Sequence, residues 1–130
     1  MPDVDAIAVL GGTVAAFVLG GAYYAAFGEQ LATVSEAAAA QEPTPPSTLA
    51  IEVLRSLIVA AVVAGIAAQG EIDYWAGGLL LGLALWVGFP LVLWIGAVVH
   101  DKAPAKLAVI HAGDWLVKLL AISVLVAVLQ

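Results

Sequence analysis

The last apolar stretch of the chain decides its fold class and reads AKLAVIHAGDWLVKLLAISVLVAVL from Ala105 to Leu129. Most of these side chains are aliphatic, but His111, Asp114 and Lys118 interrupt them at helical spacings of three and four. A charge at the centre of a bilayer costs roughly 2.5–3.5 kcal/mol on insertion scales, so such a trio needs partners or water. The stretch therefore predicts a membrane span with an unusual polar face.

The composition of the whole chain agrees with a membrane protein. Of its 130 residues 64% are hydrophobic and 11% charged, whereas soluble domains average about 45–50% and about 25%. A net charge of −6 with only four basic residues argues against nucleic-acid binding, which needs clustered Lys and Arg. The absence of cysteine excludes disulfides, thiolate metal sites and cysteine nucleophiles.

Three further apolar stretches precede the last one, so four spans are expected, at about 6–27, 49–69, 74–99 and 105–129. The first has 22 residues by these bounds and would extend about 33 Å as a helix, enough for a hydrocarbon core of about 30 Å. The fold class expected is an all-α, integral membrane, antiparallel four-helix bundle that forms a single domain over 1–130. An Ala/Pro-rich linker is expected over 28–48, with a short helix around Glu36.

Several local features of the spans carry their own predictions. No basic residue precedes the first span, which favours a retained helix over a cleaved signal peptide. Ser47 or Thr48 is expected to cap the second helix.

Pro90 lies within the third span and predicts a kink, because proline lacks the amide donor for the helical hydrogen bond. Aromatic residues near span ends are typical of interface anchors, and here they are Tyr23, Tyr24 and Trp75.

Small residues recur every four positions in several spans, and two of these stripes are expected to pack helices. They are Gly12, Ala16 and Gly20 in the first span, and Gly78 and Gly82 in the third. Such spacing permits close helix contact in membranes, and the third span matches the GxxxG pattern. These stripes predict helix packing, either inside the bundle or against a partner, and a homodimer is one such arrangement.

The few basic residues predict an orientation. Arg55, Lys102 and Lys106 flank the first and third connections. Because positively charged residues concentrate on the cytoplasmic side, both connections are expected in the cytoplasm and both termini outside it. A prokaryotic plasma (inner) membrane is the expected location.

Two stretches together resemble a bacterial membrane family catalogued as domain of unknown function 1761. The first reads GGAYY from Gly20 to Tyr24 and continues with Phe27 and Gly28. The second begins at Gly82, continues with WVGFP from Trp86 to Pro90, and ends with IHAGDWL from Ile110 to Leu116. The resemblance implies four helices and an unassigned function, and it supplies no catalytic residues to carry over.

The ionisable residues of the second and fourth spans are expected to form one cluster. On a helical wheel, His111, Asp114, Trp115 and Lys118 fall within an arc of roughly 100°, in one half of the membrane. Glu52 and Arg55 enter the membrane from the same side, and the formal charges of Glu52, Arg55, Asp114 and Lys118 sum to zero. The pattern thus predicts an intramembrane ion-pair cluster in which Asp114 pairs with Lys118, and Arg55 with Glu52 or Asp114.

This cluster has two interpretations that the sequence leaves open. It either fixes helix packing as a neutral network or forms a proton-, ion- or solute-responsive site. The first fits a structural or partner-binding scaffold, and the second a small transporter- or channel-like protein whose substrate the sequence does not identify. No phosphate-binding loop, zinc motif or nucleophile elbow is present, so we expect neither an enzyme nor a cofactor. Two histidines are also too few to predict a metal site.

Overall fold

The computed structural model describes residues 4–40 and 43–130, so residues 41 and 42 of the expected linker lie outside the described part. Six helices form its regular structure: α1 (Ala6–Ala32), α2 (Glu36–Ala39), α3 (Pro46–Gln69), α4 (Trp75–Gly88), α5 (Pro90–His100) and α6 (Ala105–Leu129). Four stretches are long and apolar enough to cross a membrane: α1, α3, α4 together with α5, and α6. The all-α membrane fold with four candidate spans is therefore confirmed.

The first connection is shorter than expected. Helix α1 continues to Ala32, because Gly28 lies within an otherwise good helix-forming run and no proline follows until residue 43. Helix α3 begins at Pro46. The expected cap by Ser47 or Thr48 is wrong: the residue before the helix is Pro45, and no side chain caps the helix. Proline suits the first helical position because its missing N–H would have no partner there.

Helices α4 and α5 divide one candidate span into two pieces. Phe89, between them, has φ −124° and ψ −78°, and α5 begins at Pro90. The interruption lies where Pro90 predicts a kink, since its ring removes a donor and crowds the preceding turn.

Helix α6 lies at the centre of the fold. It packs against α1, α3, α4 and α5, whereas α4 and α5 make their extensive contacts only with α6 and with each other. The buried core joins Ile122 and Val126 of α6 to Ala60 and Ala64 of α3 and to Ala16 of α1. Because α4 and α5 do not close against α3, an apolar groove remains between them.

The glycines of α4 set its distance from α6. A Cβ atom at Gly78 would lie 2.6 Å from the Ser123 carbonyl oxygen, and one at Gly82 would lie 2.7 Å from that of Leu119. Only glycine permits this backbone approach. Gly12, Ala16 and Gly20 are likewise buried inside the chain. Both small-residue stripes thus pack against the protein's own helices, and neither is free to form the association face considered from the sequence.

Gln130 joins three elements at one end of the fold. Its Oε1 atom accepts a hydrogen bond from the Asp5 amide at 3.2 Å. Its Nε2 atom donates to the Ala64 carbonyl oxygen at 3.0 Å. The beginning of α1 therefore lies beside the end of α6, and the polar residues of α6 lie toward the opposite end.

Candidate functional site

A cavity of about 580 Å³ lies between α1, α3, α5 and α6. Leu31 and Thr48 line its outer end, near the end of α1 and the beginning of α3. Asp114 and Lys118 line its inner end, and Lys118 is 13 residues beyond the beginning of α6, or about 20 Å along the helix. The cavity thus reaches from the connection between α1 and α3 deep into the candidate membrane spans.

Asp114 and Lys118 form an ion pair at the inner end of this cavity. The Lys118 Nζ atom lies 2.8 Å from Asp114 Oδ2, and their side chains are 9% and 2% exposed, respectively. The ammonium also lies 5.0 Å from the centre of the Trp115 ring, within the range of a cation–π contact. The i,i+4 spacing places the two residues on adjacent turns of the same face of α6.

The second carboxylate oxygen of Asp114 is not part of this ion pair. Its Oδ1 atom is buried and has no hydrogen-bond partner among the described residues. A buried acceptor without a partner costs about 1–3 kcal/mol, more when the group is charged. Asp114 lines the cavity, but its Oδ1 atom is itself buried, so a neighbouring side chain must move before a water molecule or a ligand in the cavity can donate a hydrogen bond to it.

Glu52 and Arg55 form a second, more exposed pair. The Arg55 Nη1 atom donates to Glu52 Oε1 at 2.5 Å, and the two side chains are 52% and 37% exposed. Of the two partners considered for Arg55, the structure therefore has Glu52. Its guanidinium lies 5.7 Å from the Trp115 ring centre. Both residues line the same cavity as Asp114, so the four charges share a space without forming one continuous network.

His111 is held between two aromatic residues from other helices. The Tyr24 hydroxyl lies 2.6 Å from His111 Nδ1. The Trp94 ring of α5 stacks on the imidazole with centres 5.1 Å apart and planes at 14°. All three residues line the cavity. His111 thus connects α1, α5 and α6 at its wall.

Two aromatic side chains from other helices donate hydrogen bonds to backbone carbonyl groups of α6. The Tyr23 hydroxyl donates to the Ile110 carbonyl oxygen, and the Trp86 indole N–H donates to that of Ala112, each at 2.7 Å. Tyr23 and Tyr24, expected as interface anchors, lie more than two turns before the end of α1, and their hydroxyls contact Ile110 and His111 of α6. Trp75 is 64% exposed at the beginning of α4, a position that an interface anchor would take.

The structure adds cavity residues that sequence reasoning did not assign to the site. Trp94, Trp115 and Tyr24 contribute its aromatic wall, and Gly20 provides space for Lys118. A weak signal existed for the aromatic contacts, because buried Tyr and Trp usually need hydrogen-bond acceptors. Within the described part of the chain, no three His, Asp or Glu side chains lie close enough to hold a metal ion.

Four candidate spans around a charged cavity define a multi-pass membrane protein with an internal polar site. The family comparison adds no activity. Over residues 7–127 the chain matches the family described as Protein of unknown function (DUF1761), and it belongs to that family. No curated protein and no solved structure matches it.

Proposed function

We propose that the protein is a small transporter-like membrane protein that binds a polar group in the cavity between α1, α3, α5 and α6. The observation that carries this proposal is the buried Asp114 Oδ1 atom, which has no partner in the described chain and belongs to a residue lining the cavity. A carboxylate used only for packing would be expected to have both oxygens satisfied. Intramembrane ionisable residues that line a cavity commonly serve a substrate or proton pathway.

The two ends of the cavity differ, which favours a carrier over an open pore. Thr48 is exposed at the outer end. Beyond Lys118, the next turns of α6 bury Ile122 and Val126 completely against alanines of α1 and α3. A path across the whole protein would have to open this apolar core, so a substrate would need a conformational change to pass.

A scaffold remains the second candidate, and the burial of the Asp114–Lys118 pair favours it. Both side chains are less than a tenth exposed, and together they are neutral. A buried pair of this kind can fix the rotation of a helix without binding anything. The two candidates differ in whether water reaches the wall of the cavity.

Cysteine accessibility separates the two candidates, because the chain has no cysteine of its own. Ser56 and Ser123 are both buried, at 6% and 0% exposure, but only Ser56 lines the cavity. We expect Ser56→Cys in proteoliposomes to react with a small water-soluble methanethiosulfonate at least tenfold faster than Ser123→Cys. Equal rates would contradict a hydrated cavity and support the scaffold.

Flux measurements test transport itself. Purified protein in liposomes is expected to move protons or a small solute above the rate of empty liposomes. Asp114→Asn and Lys118→Met are expected to reduce that rate at least tenfold. Glu71→Gln, in the exposed turn between α3 and α4, is the matched control and is expected to leave it unchanged. A rate equal to that of empty liposomes would contradict transport of protons or of a soluble solute.

A further inference from the structure

A second space adjoins the polar cavity. It is an apolar groove of about 550 Å³ between α3 and the α4–α5 span. Ile58, Val62 and Ile66 line one side, and Phe89 and Leu93 line the other. Its only charged lining residue is Arg55. The groove therefore suits a hydrocarbon chain along most of its length and a polar group at one end.

The groove and the cavity share part of their walls. Arg55, Trp94 and Trp115 line both spaces. Two cations lie over the Trp115 ring: the Arg55 guanidinium from α3 and the Lys118 ammonium from α6, the helix of Trp115 itself. A molecule that occupied both spaces would thus keep its polar part among the charges and its apolar part along α3.

We propose that the occupant is a membrane lipid whose headgroup carries a primary ammonium and a phosphate, with one acyl chain in the groove. This inference rests on the proposed function and names the substrate class of the same site. The lipid would reach the groove sideways from the bilayer, because Ile58 and Val62 are each more than half exposed and no described part of the chain covers them.

The charges of the cavity select the headgroup. The formal charges of Glu52, Arg55, Asp114 and Lys118 sum to zero, so a neutral zwitterion leaves the cavity without net charge. The Asp114 Oδ1 atom has no partner among the described residues, and it would accept a hydrogen bond from an ammonium once a neighbouring side chain has moved to expose it. Arg55 has five N–H donors and uses one nitrogen for Glu52, which leaves donors for a phosphate.

The groove also has the length for an acyl chain. From Arg55 to Ile66 there are eleven residue steps along α3, or about 16 Å, and its lining residues on this helix beyond Arg55 are all aliphatic. A soluble polar substrate would gain nothing from this surface. A chain attached to a headgroup held near Arg55 would follow it toward Ile66.

The test measures which lipids remain bound to the purified full-length protein. It is exchanged into mild detergent with equal amounts of phosphatidylethanolamine, phosphatidylcholine and phosphatidylglycerol, and retained lipids are counted by native mass spectrometry. We expect at least a fivefold preference for phosphatidylethanolamine, since the choline headgroup has no N–H donor and the glycerol headgroup leaves a net negative charge.

Variants separate the groove from the cavity. Val62→Trp fills the groove and is expected to abolish retention of every lipid. Leu80→Trp, at an exposed apolar position that lines neither the groove nor the polar cavity, is its matched control and should behave as wild type. Ile58→Trp repeats the test at a second groove position. Asp114→Asn is expected to keep chain binding but lose the preference for the ammonium headgroup.

The outcomes distinguish this inference from the proposed function. Equal retention by Val62→Trp and Leu80→Trp, or equal retention of the three lipids, would overturn it. If Ser56→Cys is still labelled rapidly in that case, the hydrated cavity stands and its substrate is not a lipid. A dimer that Val62→Trp disrupts, with no lipid retained, would show that a second copy fills the groove and would also overturn the inference.

Discussion

The side chain of Lys118 passes directly over Gly20 of α1. A Cβ atom at Gly20 would lie 2.7 Å from the Lys118 Cε atom and 3.1 Å from its Nζ atom. The missing side chain on α1 therefore creates the space in which the α6 lysine reaches Asp114. A residue predicted to bring helices together thus also shapes the charged site.

Replacement of Gly20 tests this relationship. We expect Gly20→Ala to lower the free energy of unfolding in detergent by about 1–3 kcal/mol relative to Gly21→Ala, because the new methyl group overpacks against Lys118. Gly21 has open space around its Cβ position, so its alanine variant is the matched control for helix propensity. Equal stability of the two variants would show that Lys118 moves aside at no cost.

Gly82 should be still less tolerant of a side chain. Its Cβ position faces the Leu119 carbonyl oxygen, and backbone cannot move as easily as a lysine side chain. Gly82→Ala is expected to destabilise the protein by about 1–3 kcal/mol or more, measured by thermal unfolding in detergent. Gly96→Ala, with no neighbouring atom within 4 Å, should cost nothing. Matching midpoints for both variants would refute the close contact of α4 with α6.

The Asp114–Lys118 pair predicts a strong coupling. Asp114→Asn or Lys118→Met alone leaves one buried charge without its partner, and each is expected to cost about 3–5 kcal/mol of unfolding free energy. The double variant removes both charges and is expected to lie within about 1 kcal/mol of wild type. A double-mutant cycle measures the coupling, and simple additivity of the two losses would rule out a buried pair.

The Tyr23 hydroxyl provides a smaller test of the packing of α1 on α6. Tyr23→Phe removes the donor to the Ile110 carbonyl oxygen and is expected to cost about 0.5–1.5 kcal/mol of unfolding free energy. Tyr74→Phe is the control, because Tyr74 is 59% exposed before α4. If both substitutions change stability equally, Tyr23 acts through the solvent or lipid interface instead of through α6.

The sequence predicted the ion pair within α6, but it did not predict which side chains from other helices surround that pair. Asp114 and Lys118 lie one turn apart on one helix, so helix geometry places their side chains within reach of each other. The contact of Arg55 with Glu52 follows in the same way. That Arg55 pairs with Glu52 and not with Asp114 depends on the distance between α3 and α6. Tyr24 and Trp94 are 87 and 17 residues from His111 in sequence, and no local pattern specifies that they meet there.

The sequence by itself determined that this is an all-α membrane protein with four candidate spans and a break at Pro90, because hydrophobic length and proline geometry act locally. Tertiary structure alone decided that α6 lies at the centre, that the glycines of α4 face it, and that polar cavity and apolar groove share Arg55, Trp94 and Trp115. The physical reason is that apolar faces of membrane helices are nearly equivalent toward lipid. Which faces meet is therefore fixed by close packing and by hydrogen bonds between residues far apart in sequence.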